Sequence, residues 1–198
     1  MRYRVTSGTL TVRARSRIHD TTTVWNRVTG EIVADAETLA VAPVRAPGPQ
    51  PGPGPGPEAG PQPGPDPGPA PGGPAGTSAR FEVDMTAFDA GDFLKNRKLR
   101  KDFALEAHPR ASFVLTALQG VVRTGTAFTA TAVGTLEWRG KRVELTLSGR
   151  GTLDAMAASA SATFELDIRS LGLAAPKFLI FKVEDEVTVD VAIRGVPA

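Results

Sequence analysis

Histidine is the side chain most often used to move protons or hold metals near neutral pH, and this chain has two, His19 and His108. They lie in different segments, neither with a histidine or cysteine close by, so a metal site built on them is weak. His19 reads as a hydrogen-bonded loop residue. His108, followed by Pro109, reads as a turn residue held out of the helical region. Cysteine is absent from the whole sequence, which removes thiol nucleophiles, disulfides and thiolate metal ligands together. No Gly-x-Ser-x-Gly elbow occurs. The run Glu184-Asp185-Glu186 lacks other oxygen ligands at calcium-loop spacing and reads as a solvated turn. Carboxylates occur on many predicted strands, but their spacing singles out no acid–base pair. No catalytic set, metal or cofactor is expected.

A second chemistry lies between Phe93 and Arg110. Lys95, Arg97, Lys98, Arg100, Lys101 and Arg110 face only Asp102 and Glu106 there. The plain reading is a solvated loop. The functional readings are an anionic headgroup, with Arg97 and Arg100 as its candidates, peripheral contact with an anionic membrane, and last nucleic acid. The formal net charge is only +2, and the aromatic residues of this run, Phe93 and Phe103, read as packing anchors, so nucleic acid is not expected as a partner.

The elements that position these residues follow from periodicity. Leu10, Val12, Ala14, Ser16 and Ile18 share one face of a strand, and Thr11, Arg13, Arg15 and Arg17 share the other, a wet one. Val24-Trp25 restarts a strand, and Gly30 marks a bend. Phe81, Val83 and Met85 alternate with polar residues. Leu94, Leu99 and Phe103 then break the alternation, spaced as apolar anchors of a short helix or compact crossing loop. Strand resumes at Ala111. Gly120 and Gly125 bracket a hairpin connection, a Gly-Lys turn at Gly140 makes the clearest hairpin, and Gly149 and Gly151 break the next connection. Phe164, Leu166 and Ile168 share a face. Phe178 to Val183 is a short apolar cluster, and Val187, Val189, Val191 and Ile193 close the chain. About eight short strands with glycine turns argue for an all-β barrel or sandwich.

From Ala46 to Gly76 the chain is almost wholly Pro, Gly, Ala and Gln. It cannot bury a core and reads as a disordered Pro/Gly-rich insertion. Its period of two over Pro51 to Pro57 excludes a collagen helix. The strands before it are too few to fold alone. Residues 1–198 therefore read as a single domain interrupted by a loop at 46–76.

Leu99, Arg100, Asp102, Phe103, Pro109 and Phe113 occupy the slots of a motif that resembles the YceI-like family. Gly134-x-Leu136-x-x-x-Gly140 resembles that family's hairpin, and the run from Leu10 through His19 to Gly30 resembles its first two strands. The family often has Asp-x-His-Leu where this chain has Asn96-Arg97-Lys98-Leu99, so a lysine stands in the histidine's place. The resemblance implies a single eight-stranded antiparallel β-barrel, lipocalin-like, with one short helical crossing loop. It also implies binding of an amphiphilic lipid, a polyisoprenoid in the first instance.

An eight-stranded barrel is either filled by side chains or wide enough for one small apolar ligand. Phe113, Phe128, Ala132, Trp138, Phe164, Phe178 and Phe181 are the cavity candidates. Ala130, Ala158, Ala160 and Ala162 leave room if they too face inward. The leading expectation is non-enzymatic lipid binding, as carrier, store or sensor. The alternatives are a filled barrel acting through its basic loop or Pro/Gly arm, and an enzyme with dispersed residues. No run reaches the roughly eighteen apolar residues of a spanning helix, and MRYRVTSGTL has no apolar signal region. The sequence as it stands thus reads as cytoplasmic, and the family resemblance makes periplasmic or secreted the alternative. The oligomeric state stays open, a dimer included.

Overall fold

The computed structural model describes residues 1–16, 20–34, 77–174, 177–178 and 181–198. Eleven strands form among the described residues: β1 (Arg2–Ser16), β2 (Thr21–Trp25), β3 (Val28–Val33), β4 (Ser78–Asp84), β5 (Phe88–Asp89), β6 (Arg110–Thr124), β7 (Ala127–Trp138), β8 (Lys141–Leu153), β9 (Ala158–Asp167), β10 (Lys177–Phe178) and β11 (Phe181–Pro197). A helix, α1 (Phe93–Asp102), lies between β5 and β6. Eight strands pair antiparallel in the order β1-β3-β4-β6-β7-β8-β9-β11, and β11 returns to β1 from Tyr3↔Pro197 to Ser16↔Val183. The result is the closed eight-stranded barrel expected. β2 and β3 occupy the same side of β1 in succession, β3 on Arg2–Arg4 and β2 on Leu10–Ala14, with β5 on the far edge of β2.

Period-two alternation decides which side chains enter the barrel. Along β7, Phe128, Ala130, Ala132, Leu136 and Trp138 line the interior, while Thr129 and Glu137 are exposed outside. Along β11, Val187, Val189, Val191 and Ile193 line it. Arg13 and Arg15 lie on the wet outer face, as expected. Arg13 pairs with Asp190, whose carboxylate also accepts the Thr163 hydroxyl at 2.7 Å. Arg17, Ile18 and His19 lie outside the described residues.

Several expected turns fall elsewhere. Gly125 does sit in the β6–β7 turn, but Gly120 lies within β6, at φ 57° beside a shift of register between Gln119 and Val122. The β7–β8 turn is Arg139-Gly140, with φ 56° and 70°, rather than Gly-Lys. Two positive-φ residues give the twist that suits a two-residue hairpin. Gly149 and Gly151 are not a break but the interior of β8, opposite Ala162 and Ala160. The actual β8–β9 connection is held by Asp154, whose carboxylate accepts the N–H groups of Met156 and Ala157 at 2.7 and 2.8 Å. Glu184-Asp185-Glu186 is part of β11, with Glu186 opposite Asp167, and not a turn.

The tract Ala46–Gly76 lies outside the described residues. It joins the ends of a hairpin, because β3 and β4 pair as far as Val33↔Ser78. Replacing it with a short Gly/Asn-containing turn is expected to leave the melting temperature equal or slightly raised. The difference in closure entropy between a long and a short loop is only about 2 kcal/mol. Calorimetry checks this, and a large fall would show the tract to be part of the packed domain.

Candidate ligand cavity

A domain of this size usually packs one contiguous core. Here two separate clusters of buried residues form among the described residues, with further buried side chains such as Leu145 and Leu147 along the wall. One, around Trp25, Leu105, Trp138, Ile168 and Leu171, closes the end of the barrel beside α1. The other, around Tyr3, Ala34, Leu153 and Ala158, closes the opposite end. Between them lies a cavity of about 300 Å³ with an almost wholly apolar lining. Leu10, Phe81, Phe113, Phe164 and Val191 line it and are only half-buried although they point inward. The surface they leave uncovered is the cavity wall.

The α1 end is fastened by polar pins. Asp92 caps the helix, its carboxylate accepting the N–H groups of Leu94 and Lys95 at 2.7 and 3.1 Å. Leu99 is buried beneath the helix. The Arg100 guanidinium donates to the Thr86 carbonyl at 3.3 Å, pairs with Glu106 at 2.8 Å and stacks over Phe88. The chain then turns through Ala104 at φ 47° and inserts Leu105, which is fully buried. The Trp138 indole donates to the His108 carbonyl at 2.9 Å, Arg139 donates to the Phe103 carbonyl at 2.5 Å, and the Trp25 indole donates to the Met85 carbonyl at 3.2 Å. Each tryptophan thus satisfies its N–H at the rim while its ring lines the cavity. Beside this rim the Thr86 hydroxyl, donating to Asp84 at 2.6 Å, holds that carboxyl below its usual range, with Arg27 adding to the effect.

At the opposite end the Tyr3 hydroxyl donates to the Asp154 carbonyl at 2.6 Å, and the Met1 amino group donates to the Ala34 carbonyl at 2.6 Å. Burial pushes the Tyr3 phenol above its ordinary pKa, and the Asp154 charge adds to that.

Three phenylalanines lie against glycines in the wall. A Cβ built on Gly134 would fall 2.3 Å from Cζ of Phe113, and one on Gly151 would fall 2.7 Å from Cζ of Phe128. A Cβ on Gly30 would fall 2.9 Å from Cδ1 of Phe81. Phe81 and Phe113, opposite each other on β4 and β6, are almost parallel, at 11° with centroids 6.5 Å apart. The missing side chains let the rings lie along the wall instead of projecting across the cavity. The in-strand glycines therefore help to set the cavity's width.

Five of the sequence candidates, Phe113, Phe128, Ala132, Trp138 and Phe164, line the cavity together, as do Ala130, Ala158, Ala160 and Ala162. Phe178 and Phe181 lie in β10 and β11, and their side chains are outside the described residues. Arg97 and Arg100 are not in the lining; Arg97 is exposed on α1, and Arg100 makes the contacts given above. Two expected anchors were misplaced. Phe93 and Leu94 are 76% and 70% exposed, because the helix turns Leu99, not them, toward the barrel. Leu105 is the anchor the sequence reading missed. Its one signal is a second large apolar residue two places after Phe103, in a run that is otherwise small or charged. His108 is a turn residue, as expected. Among the described residues no group of three or more His, Cys, Asp or Glu is placed to hold a metal.

A closed antiparallel barrel, capped at both ends around an apolar cavity, is the architecture of a lipocalin-like binding barrel. The chain belongs to the YceI-like domain family, whose model matches residues 68–194. That match begins ahead of β4 and does not reach the first three strands. Whole-chain likeness comes from solved structures. A polyisoprenoid binding domain from Saccharophagus degradans, described as implicated in plant cell wall breakdown, superposes with TM-score 0.65 at 12% identity over 99% of this chain and 98% of that one. BcnA of Burkholderia cenocepacia gives 0.63 at 16% identity over 94% and 95%. The Campylobacter jejuni YCEI protein gives 0.51 at 11% identity over 61% and 72%. At these identities the likeness establishes the fold. No curated protein matches the sequence. Among the described residues no helix is long and apolar enough to cross a membrane.

Leu105→Ala is expected to cost about 2–5 kcal/mol, the range for emptying a buried leucine site, whereas Leu94→Ala should change stability by no more than about 0.5 kcal/mol. Urea titration of the two variants checks the assignment of faces, and equal effects would reverse it. Ala132→Phe should fill the cavity and abolish apolar-probe binding in a protein that still folds, read as lost fluorescence enhancement of a lumen dye with an unchanged far-UV spectrum.

Proposed function

We propose that the chain is a non-catalytic binding protein that holds the apolar part of one amphiphile inside the barrel, with a polyisoprenoid as the leading ligand class, and acts as a carrier, store or sensor. The observation that carries this reading is the cavity itself. An apolar space of about 300 Å³ stands where a filled barrel would have its core, within the roughly 300–1,000 Å³ span of small-molecule pockets. Burying about 200 Å² of an apolar chain there contributes about 5 kcal/mol at 25 cal/mol per Å², with no specific polar contact needed. Family membership and the likeness to a polyisoprenoid binding domain from Saccharophagus degradans support the ligand class. Among the described residues the lining offers no charged side chain that points inward to fix a head group. Arg150 borders the cavity but is exposed on the outer wall. The polar head is therefore assigned to an end of the barrel. A filled barrel working only through its surface is not favoured, since the space is not filled.

Solvent extraction of the purified protein, followed by mass spectrometry, should release a lipid in stoichiometric amount. Stripped protein, titrated by native mass spectrometry with an isoprenoid alcohol and with its monophosphate, should take up one molecule of either at micromolar concentration. If neither binds, the lumen is not a lipid site.

A further inference from the structure

The outward face of α1 is unlike any other surface described. Helical spacing places Phe93, Leu94, Arg97 and Lys101 on the side opposite buried Leu99. Phe93 and Leu94 are adjacent, large, apolar and 76% and 70% exposed. Among the described residues they are not part of the packed core. Among the described residues the other strongly exposed large apolar side chains, Met1, Val122 and Met156, lie toward the opposite end of the barrel.

The charges around this pair favour an anionic partner. Arg97 and Lys101 are exposed on the same face as the apolar pair. The nearby carboxylates are occupied by the helix and its flanks. Asp89 accepts from Gly91 and Asn96, Asp92 caps the first turn, Asp102 pairs with Lys98 at 2.8 Å, and Glu106 pairs with Arg100 at 2.8 Å. We infer that this face seats the protein on an anionic lipid surface, Phe93 and Leu94 entering the interfacial layer and Arg97 and Lys101 meeting phosphate head groups. An apolar pair rimmed by cations is the chemistry of an interfacial helix. α1 is held rigidly by its cap and by Arg100, so the contact needs no ordering of a loose segment. It also leads directly into Phe103, which lines the cavity, and Leu105, which plugs its end. Seating on this face therefore brings the plugged end of the lumen against the lipid. The surface contact does not depend on what the cavity holds.

The test is flotation of the full chain with two kinds of vesicle, phosphatidylcholine alone and equal parts phosphatidylcholine and phosphatidylglycerol. Binding is expected to the mixed vesicles and not to the neutral ones, and to weaken with added salt. F93S/L94S and R97E/K101E should each lower partitioning tenfold or more, with thermal stability and lumen-dye binding unchanged. R4E/R194E makes the same change in net charge on exposed residues of β1 and β11, toward the other end, and should lower partitioning far less. Lumen-dye binding reports on the cavity independently, so loss of cargo binding and loss of docking are separate results. No binding of the wild-type chain to mixed vesicles, an equal loss with R4E/R194E, or a dimer in sedimentation that F93S/L94S dissolves would each overturn the proposal.

Discussion

The barrel is hollow, and that constraint shapes the rest of the structure. Eight strands pair in a ring closed by β1 and β11, but a cavity forgoes the dispersion contacts that a filled centre provides. Cohesion must then come from the ends. Both ends carry the largest fully buried side chains among the described residues, Leu105 at one and Tyr3 at the other, and both ends are tied by hydrogen bonds to backbone carbonyls. The tryptophans at the α1 end show why this works. An indole presents an apolar face to the lumen and a donor to the rim, so one residue both bounds the cavity and fastens the cap.

The same constraint explains the glycines in the middle of strands. A glycine weakens a strand unless something needs the space it leaves. At Gly134 that something is the Phe113 ring, lying where a Cβ would stand; at Gly151 it is the Ser159 carbonyl, with the Phe128 ring close beside it. The ring covers backbone that the glycine leaves bare, and the lumen keeps its width. Stability at the wall and room in the centre are therefore served by the same pairs of residues.

The sequence made the repeating parts legible. Val187, Val189, Val191 and Ile193 declare an inward face by alternation alone, and five of the seven cavity candidates, picked as aromatic or small residues on predicted strands, line the cavity. The misreadings have a common cause: local pattern does not say what a residue is near. Gly149 and Gly151 look like turn glycines because a glycine that accommodates a distant ring carries no local mark. Asp154, which makes the real turn, was one acidic residue among many. Phe93 and Leu94 were read as anchors because apolar residues usually are, and helical phase between Leu94 and Leu99 was not enough to show which of them faced the barrel. Leu105 was missed because its burial depends on a left-handed residue, Ala104, that no propensity would place there. Where Arg100 spends its charge depends on Thr86 and Glu106, partners that only the packed structure brings within reach.

Closure of the ring joins the first strand to the last, with Tyr3 opposite Pro197. On the ribosome β11 emerges long after β1. At about 5–20 residues per second, β1 waits roughly ten seconds or more for its partner. Throughout that interval the ladder edge of β1 and the apolar inner faces of the other strands are open together. A sheet with so large a sequence separation at its seam closes late and slowly. The growing chain therefore offers a sticky, half-cylindrical trough before it offers a barrel. Its handling by chaperones during that time bears on yield as much as the stability of the finished fold.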